Sequence, residues 1–142
     1  MAIDFQHLLS LKNGVMYEFH HIGIPTIEVR EGEMYSPTFK MYTSDGPDVS
    51  FRIQYHRFEP GSSLHPLIQT MTHVAFKVSD MHKAIQGRPL LLGPYFPFDG
   101  FEVAIVEING MPIEFIRTDL SEEEIWSDAP KAGSVIYPDT HT

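Results

Sequence analysis

Two histidines, a glutamate and a glutamine occupy matched places in two copies of one pattern, and together they offer the donor set of a divalent metal site. His21 begins the apolar run His21-Ile22-Gly23-Ile24, and His73 begins His73-Val74-Ala75-Phe76. Each run is answered later by a second, Arg52-Ile53-Gln54-Tyr55 in the first copy and Pro112-Ile113-Glu114-Phe115 in the second. Superposing the copies sets His21 on His73 and Gln54 on Glu114. Two imidazole nitrogens, a carboxylate and an amide oxygen suit iron, manganese, zinc, nickel or cobalt and leave coordination positions open for a substrate. Glu114 adds a second reason to expect an ion, because an unpaired carboxylate inside the apolar run Ile113 to Ile116 is costly to bury. It is also the candidate catalytic group, a carboxylate able to move a proton.

Strand alternation tests whether the four can meet. Successive strand residues point to opposite faces, so His73 shares a face with Ala75, while Val74 and Phe76 face the other way. By the same rule Ile22 and Ile24 oppose His21, Ile53 and Tyr55 oppose Gln54, and Ile113 and Phe115 oppose Glu114. All four polar side chains thus lie opposite the more apolar face of their strands. His56 falls on the face of Gln54 and is an alternative fourth ligand or a substrate-binding residue. Tyr95 is a second substrate-binding candidate. His20, on the face opposite His21, reads as a structural histidine, and His65 reads as a residue at the cavity mouth. Arg52, Arg57 and Arg117 read as packing or pairing residues. Each histidine alone has a plain explanation as a hydrogen-bonded sheet residue; their matched positions in a repeat favour a site.

The elements that must hold these residues follow from pattern and punctuation. Asp4 to Lys12 has helical spacing, stopped by Asn13-Gly14. Strands are expected over Met16 to Ile24, Phe39 to Thr43 and Val49 to Phe58, with a turn at Ser44 to Pro47. Thr26 to Pro37 is weakly patterned and holds no helix. In the second copy, strands are expected over Met71 to Val78, Leu90 to Leu92, Phe101 to Ile108 and Pro112 to Thr118. Ser79-Asp80 caps a helix that ends at Gly87, and Asn109-Gly110 marks a hairpin. Ser121 caps a helical turn through Trp126. The fold class is α+β: two β-α-β-β-β modules forming a curved mixed sheet around a cavity, the first shortened and lacking most of its helix. A single domain is expected, with module one at about 15–60, a Gly/Ser/Pro-rich linker at about 59–67, module two at about 68–119 and a tail at 120–142.

Composition limits the partners. The 142 residues include 10 Lys and Arg against 19 Asp and Glu, a net charge of -9 that repels nucleic acid and anionic membrane surfaces. There is no cysteine, so no disulfide or thiolate chemistry. No apolar run is long enough to cross a bilayer, and residues 1–11 lack the pattern of a secretory signal. A cytoplasmic protein with a small-molecule partner is expected. The shortened first module leaves sheet edge and apolar surface to cover, which points to a homodimer.

The pattern His-Ile-Gly-Ile, a linker, His-Val-Ala-Phe-Lys-Val-Ser-Asp before a helix, then Asn-Gly-Met-Pro-Ile-Glu-Phe resembles the vicinal oxygen chelate superfamily over roughly Tyr17 to Thr118. That superfamily includes glyoxalase I, methylmalonyl-CoA epimerase, extradiol dioxygenases, fosfomycin-resistance enzymes and metal-free bleomycin-binding proteins. The resemblance implies metal ligands on the first and last strands of each module, here His21, Gln54, His73 and Glu114. That set is similar to the epimerase ligands; without Gln54 it is similar to the iron triad of the dioxygenases. The interval from His21 to Gln54 is shorter than that from His73 to Glu114, and the first module lacks the helix usual after its opening strand. Two classes of function remain: a metal-dependent lyase, isomerase or dioxygenase, favoured by the ligand set, and a metal-free binding protein, favoured by the shortened first module.

Overall fold

The computed structural model describes residues 14–47, 50–127 and 131–137, and these described residues form one curled, mixed sheet of eight strands with three short helices. The strands are β1 (Tyr17–Pro25), β2 (Met34–Ser36), β3 (Met41–Asp45), β4 (Ile53–Phe58), β5 (His73–Val78), β6 (Leu90–Phe98), β7 (Phe101–Ile108) and β8 (Met111–Thr118). The helices are α1 (Pro66–Thr70), α2 (Met81–Ile85) and α3 (Glu122–Trp126). The strand order is β2-β3-β4-β1-β5-β8-β7-β6. Within each half the first strand runs parallel to the last, β1 with β4 and β5 with β8, and the halves meet through the antiparallel pair β1–β5.

The register carries the repeat residue by residue. Gly23, two places after His21, pairs with Gln54; Ala75, two places after His73, pairs with Glu114. At the seam His21 pairs with Ala75 and Gly23 with His73, the reciprocal pattern of an approximate two-fold axis. Both halves therefore present their histidine at the seam, with residue 54 or 114 one strand away.

Local chemistry explains the elements of the second half. Asn109 and Gly110 both adopt positive φ, 53° and 78°, which gives the tight reversal that joins β7 to β8. Asp80 caps α2 by accepting from Lys83 N at 3.0 Å. Met81 and Ala84 of that helix are buried with Tyr17, Val78, Ala104, Val106 and Phe115 on the back of the sheet. In the first half, no helix lies between β1 and β2, and only the three-residue β2 forms in the weakly patterned stretch.

Several boundaries differ from the sequence expectation. The linker ends in α1, whose Ile68 packs with Leu64 and Ile105; apolar burial stabilises a turn that the Gly/Ser/Pro composition conceals. His65 is the N-cap of α1, its Nδ1 accepting from Leu67 N at 3.1 Å, and it is exposed rather than set at the cavity mouth. β3 runs on through Ser44 and Asp45, where a turn is expected, because both residues pair with β4. β6 continues past Leu92 to Phe98, with irregular pairing to β7. The expected helix over Asp4 to Lys12 lies outside the described residues. No described helix is long and apolar enough to cross a membrane.

Candidate metal centre

β1, β5 and β8 are neighbours in the sheet, and they bring His21, His73 and Glu114 together. One ligand atom from each lies within 4.8 Å of the others. Glu114 Oε2 is 3.6 Å from His21 Nε2, and Oε1 is 3.3 Å from His73 Nε2. Donors about 2 Å from a shared ion sit about 3 Å apart, so these separations match an ion's coordination edge. Both imidazoles are 6% exposed and the Glu114 side chain 12%, too little water to solvate a free carboxylate.

Hydrogen bonding alone does not account for the arrangement. His73 Nε2 is buried and makes no aligned hydrogen bond, although Glu114 Oε1 is close to it; lone pairs converging on an ion have this geometry, whereas an N–H donor would point at the oxygen. A second feature is Gly23. A Cβ built there would overlap the His73 ring, lying 2.6 Å from Nε2 and 2.8 Å from Nδ1. The absence of a side chain at the paired position is what lets His73 lie across β1 toward His21. The residues fit a divalent ion.

Electrostatics favour a cation as well. Burial pulls His21 down to about 4, against the opposing pull of Glu114, and burial with His73 brings His56 to about 3. Burial alone would push Glu114 up, but the imidazoles of His21, His73 and His56 outweigh it and hold the carboxyl at about 2. Near neutral pH the cluster therefore presents one buried negative charge beside the uncharged imidazoles of His21 and His56.

Gln54 and His56 are the two candidates for a fourth ligand, and both line the cavity. The amide nitrogen of Gln54 is engaged by Asp45, Nε2 donating to Oδ1 at 3.3 Å. His56, two residues on, stacks on His73 at 5.7 Å between ring centroids and shares a hydrogen bond of 3.1 Å between its Nδ1 and Thr43 Oγ1. It lies outside the group of three whose ligand atoms converge. Tyr95 also lines the cavity, and burial and the Glu114 charge both raise its hydroxyl, keeping it protonated.

The cavity has a volume of about 350 Å³, with Phe39, Met41, Phe58, Leu92, Val103 and Ile105 among its walls. The tail reaches it too: Ser134, Ile136 and Tyr137 line it, and the tail backbone is tied to both halves of the sheet. Ser36 Oγ donates to the Ile136 carbonyl at 2.7 Å, and Val135 N donates to Pro97 O at 2.9 Å.

His20 corrects the alternation argument. The β1–β5 register slips between Phe19 and His21, so His20 is the extra residue of a bulge and has no partner across the ladder. Instead of facing away, it lies beside His21, with the two Nδ1 atoms 2.8 Å apart. The three arginines are engaged as packing and pairing residues: Arg52 lies over Trp126, Arg57 pairs with Glu33 and stacks on Tyr42, and Arg117 pairs with Asp119.

No family model matches the chain, and no curated protein matches its sequence. Among solved structures, a hypothetical protein from Bacillus halodurans C-125 is similar in fold, with a TM-score of 0.58 and 17% identity over 75% of this chain and 98% of that one. At that identity the likeness speaks to the fold, a curled mixed sheet of the kind the vicinal oxygen chelate resemblance implies.

Proposed function

We propose that this chain is a metal-dependent member of the vicinal oxygen chelate superfamily, a lyase, isomerase or dioxygenase acting on a small oxygenated molecule. The observation that carries the reading is the convergence of His21, His73 and Glu114, with His73 Nε2 buried beside a carboxylate and not hydrogen-bonded to it. A divalent ion held by these three would supply a Lewis acid for two neighbouring oxygens of a substrate, and iron would add reactivity toward dioxygen. The chain's own residues do the rest. The apolar walls exclude water, which strengthens every charge interaction at the site. His56 is neutral at physiological pH, and with Nδ1 engaged by Thr43 its Nε2 is the atom left for a substrate oxygen. Tyr95 keeps its proton and can donate it in a hydrogen bond. Glu114 is the carboxylate placed to carry a proton between substrate atoms.

The test uses cobalt-loaded protein and a hydroxamate probe carrying two neighbouring oxygens. The visible cobalt bands should shift at one probe per chain in the native protein, and Glu114→Gln should abolish the response. Bands indifferent to the probe would oppose the reading. Oxygen uptake by iron-loaded protein against solvent-proton exchange by zinc-loaded or nickel-loaded protein then separates dioxygenase from isomerase. The alternative, a metal-free binding protein, draws on the largely apolar cavity and the missing first-half helix; a ligand bound equally well in chelator would favour it.

A further inference from the structure

The bulge in β1 places beside the metal centre a chain of polar atoms that runs out to the protein surface. His21 Nε2 faces Glu114, and His21 Nδ1 faces His20 Nδ1 at 2.8 Å. On the far side of its ring, His20 Nε2 lies 3.2 Å from Oε1 of Glu122, the first residue of α3. The His20 side chain is 2% exposed and that of Glu122 is 56% exposed. Trp126, one helical turn on, stacks against the His20 ring at 5.4 Å and 17°, and its Nε1 donates to Glu122 Oε2 at 2.6 Å. Ring and carboxylate are thus held from the same helix, whose start is fixed by a capping box between Ser121 and Glu124.

We propose that Glu122 and His20 are positioning residues which lock His21 in the tautomer that leaves Nε2 free to bind the ion. The inference rests on the metal reading above and extends it to an outer layer. A neutral imidazole carries one proton. Between two facing Nδ1 atoms only one can be the donor, so the tautomers of His20 and His21 are coupled. An ionised carboxylate only accepts, so Glu122 favours the proton of His20 on Nε2. His20 Nδ1 is then a bare acceptor, the proton of His21 must sit on Nδ1, and His21 Nε2 offers its lone pair toward Glu114 and the ion. In the opposite arrangement, His20 Nε2 would turn a lone pair toward the Glu122 carboxylate, which is repulsive. The Glu122 oxygen is near His20 Nε2 in distance but off the axis of its N–H; with Oε2 held by Trp126, a small rotation of the exposed carboxylate is what brings Oε1 into line. Carboxylate-to-histidine contacts of this kind orient metal-binding imidazoles, and their loss typically lowers metal affinity by about 10- to 100-fold.

The experiment measures tautomers and metal affinity separately. Long-range proton–nitrogen NMR on metal-free, nitrogen-labelled protein should show His21 protonated at Nδ1 and His20 at Nε2. Glu122→Leu, which removes the acceptor, should redistribute the His21 proton and weaken zinc binding by roughly tenfold. Glu122→Gln keeps an acceptor oxygen without the charge and should fall between. A His21 proton found on Nε2 in the native protein overturns the lock. So does a Glu122→Leu variant of lower melting temperature with tautomer and zinc affinity unchanged, since Glu122 would then be structural only. If the native tautomers are as stated but zinc does not bind, the metal reading fails while the lock stands as a property of the metal-free site.

Discussion

Gly23→Ala perturbs the candidate centre without replacing a ligand. Gly23 sits in β1 opposite His73, and an added Cβ would overlap the imidazole, 2.6 Å from Nε2 and 2.8 Å from Nδ1. Ordinary carbon contacts begin near 3.5 Å, so the ring must retreat by roughly 1 Å. Metal–ligand distances tolerate only about 0.2 Å. His73 therefore leaves the coordination shell, and a three-ligand site becomes a two-ligand site. We expect at least about a 100-fold loss in zinc or cobalt affinity, close to 3 kcal/mol at about 1.4 kcal/mol per decade. The fold has less to lose. Gly23 has no positive φ, and alanine is better than glycine inside a strand by roughly 0.5–1 kcal/mol, which offsets part of the cost of moving the ring. The assay is competition against a chromophoric chelator, with thermal melts in EDTA as the measure of the metal-free fold. Native-like affinity in a folded Gly23→Ala protein would refute the role given to the His73 cradle.

Glu114→Gln should abolish metal binding and the rise in melting temperature that metal brings, on top of a fall in EDTA from losing the ionised carboxylate that the neighbouring imidazoles favour; a fall of the same size with and without metal would oppose this. In metal-free protein, stability should decline as pH drops from about 6.5 toward 4, because the unfolded chain takes up protons that native His21 and His56 refuse, and decline further below about 4.5, where unfolded glutamate protonates before Glu114. Urea midpoints that are flat across pH 7 to 4 would contradict those directions. A homodimer is expected, since β2 and β6 are sheet edges and Ile27, Val29 and Phe51 are 96%, 76% and 65% exposed; light scattering at a monomer's mass would remove this expectation.

Features set by neighbouring residues were readable from the sequence, and features set by pairing were not. Asn109-Gly110 and the Ser121 cap lie where expected because their conformations depend on a few adjacent residues. The grouping of His21, His73 and Glu114 was readable because a repeat fixes equivalent positions and the two-fold seam carries them together. The place of His20 was not, since a bulge exists only relative to the partner strand, and one inserted residue defeats simple alternation. The same slip hid Glu122, whose run of acids resembles a solvated helix start until His20 is seen against it. Gln54 holds the position that symmetry assigns it, and its amide nitrogen donates to Asp45 across the strand pair, a contact set by the β3–β4 register. At Gly93-Pro94 the sequence resembles a strand end, but β6 runs through it.

The stoichiometry of metal binding decides whether His21, His73 and Glu114 form one site. Purified protein is stripped with chelator, titrated calorimetrically with iron(II), manganese, cobalt, nickel and zinc, and compared with His21→Ala, His73→Ala and Glu114→Ala. If His21, His73 and Glu114 hold an ion, at least one of these metals binds at one per chain, the melting temperature rises with loading, and both effects are lost in all three variants. Saturable binding that survives all three substitutions, or no binding of any of the five metals by the folded native protein, would contradict this site.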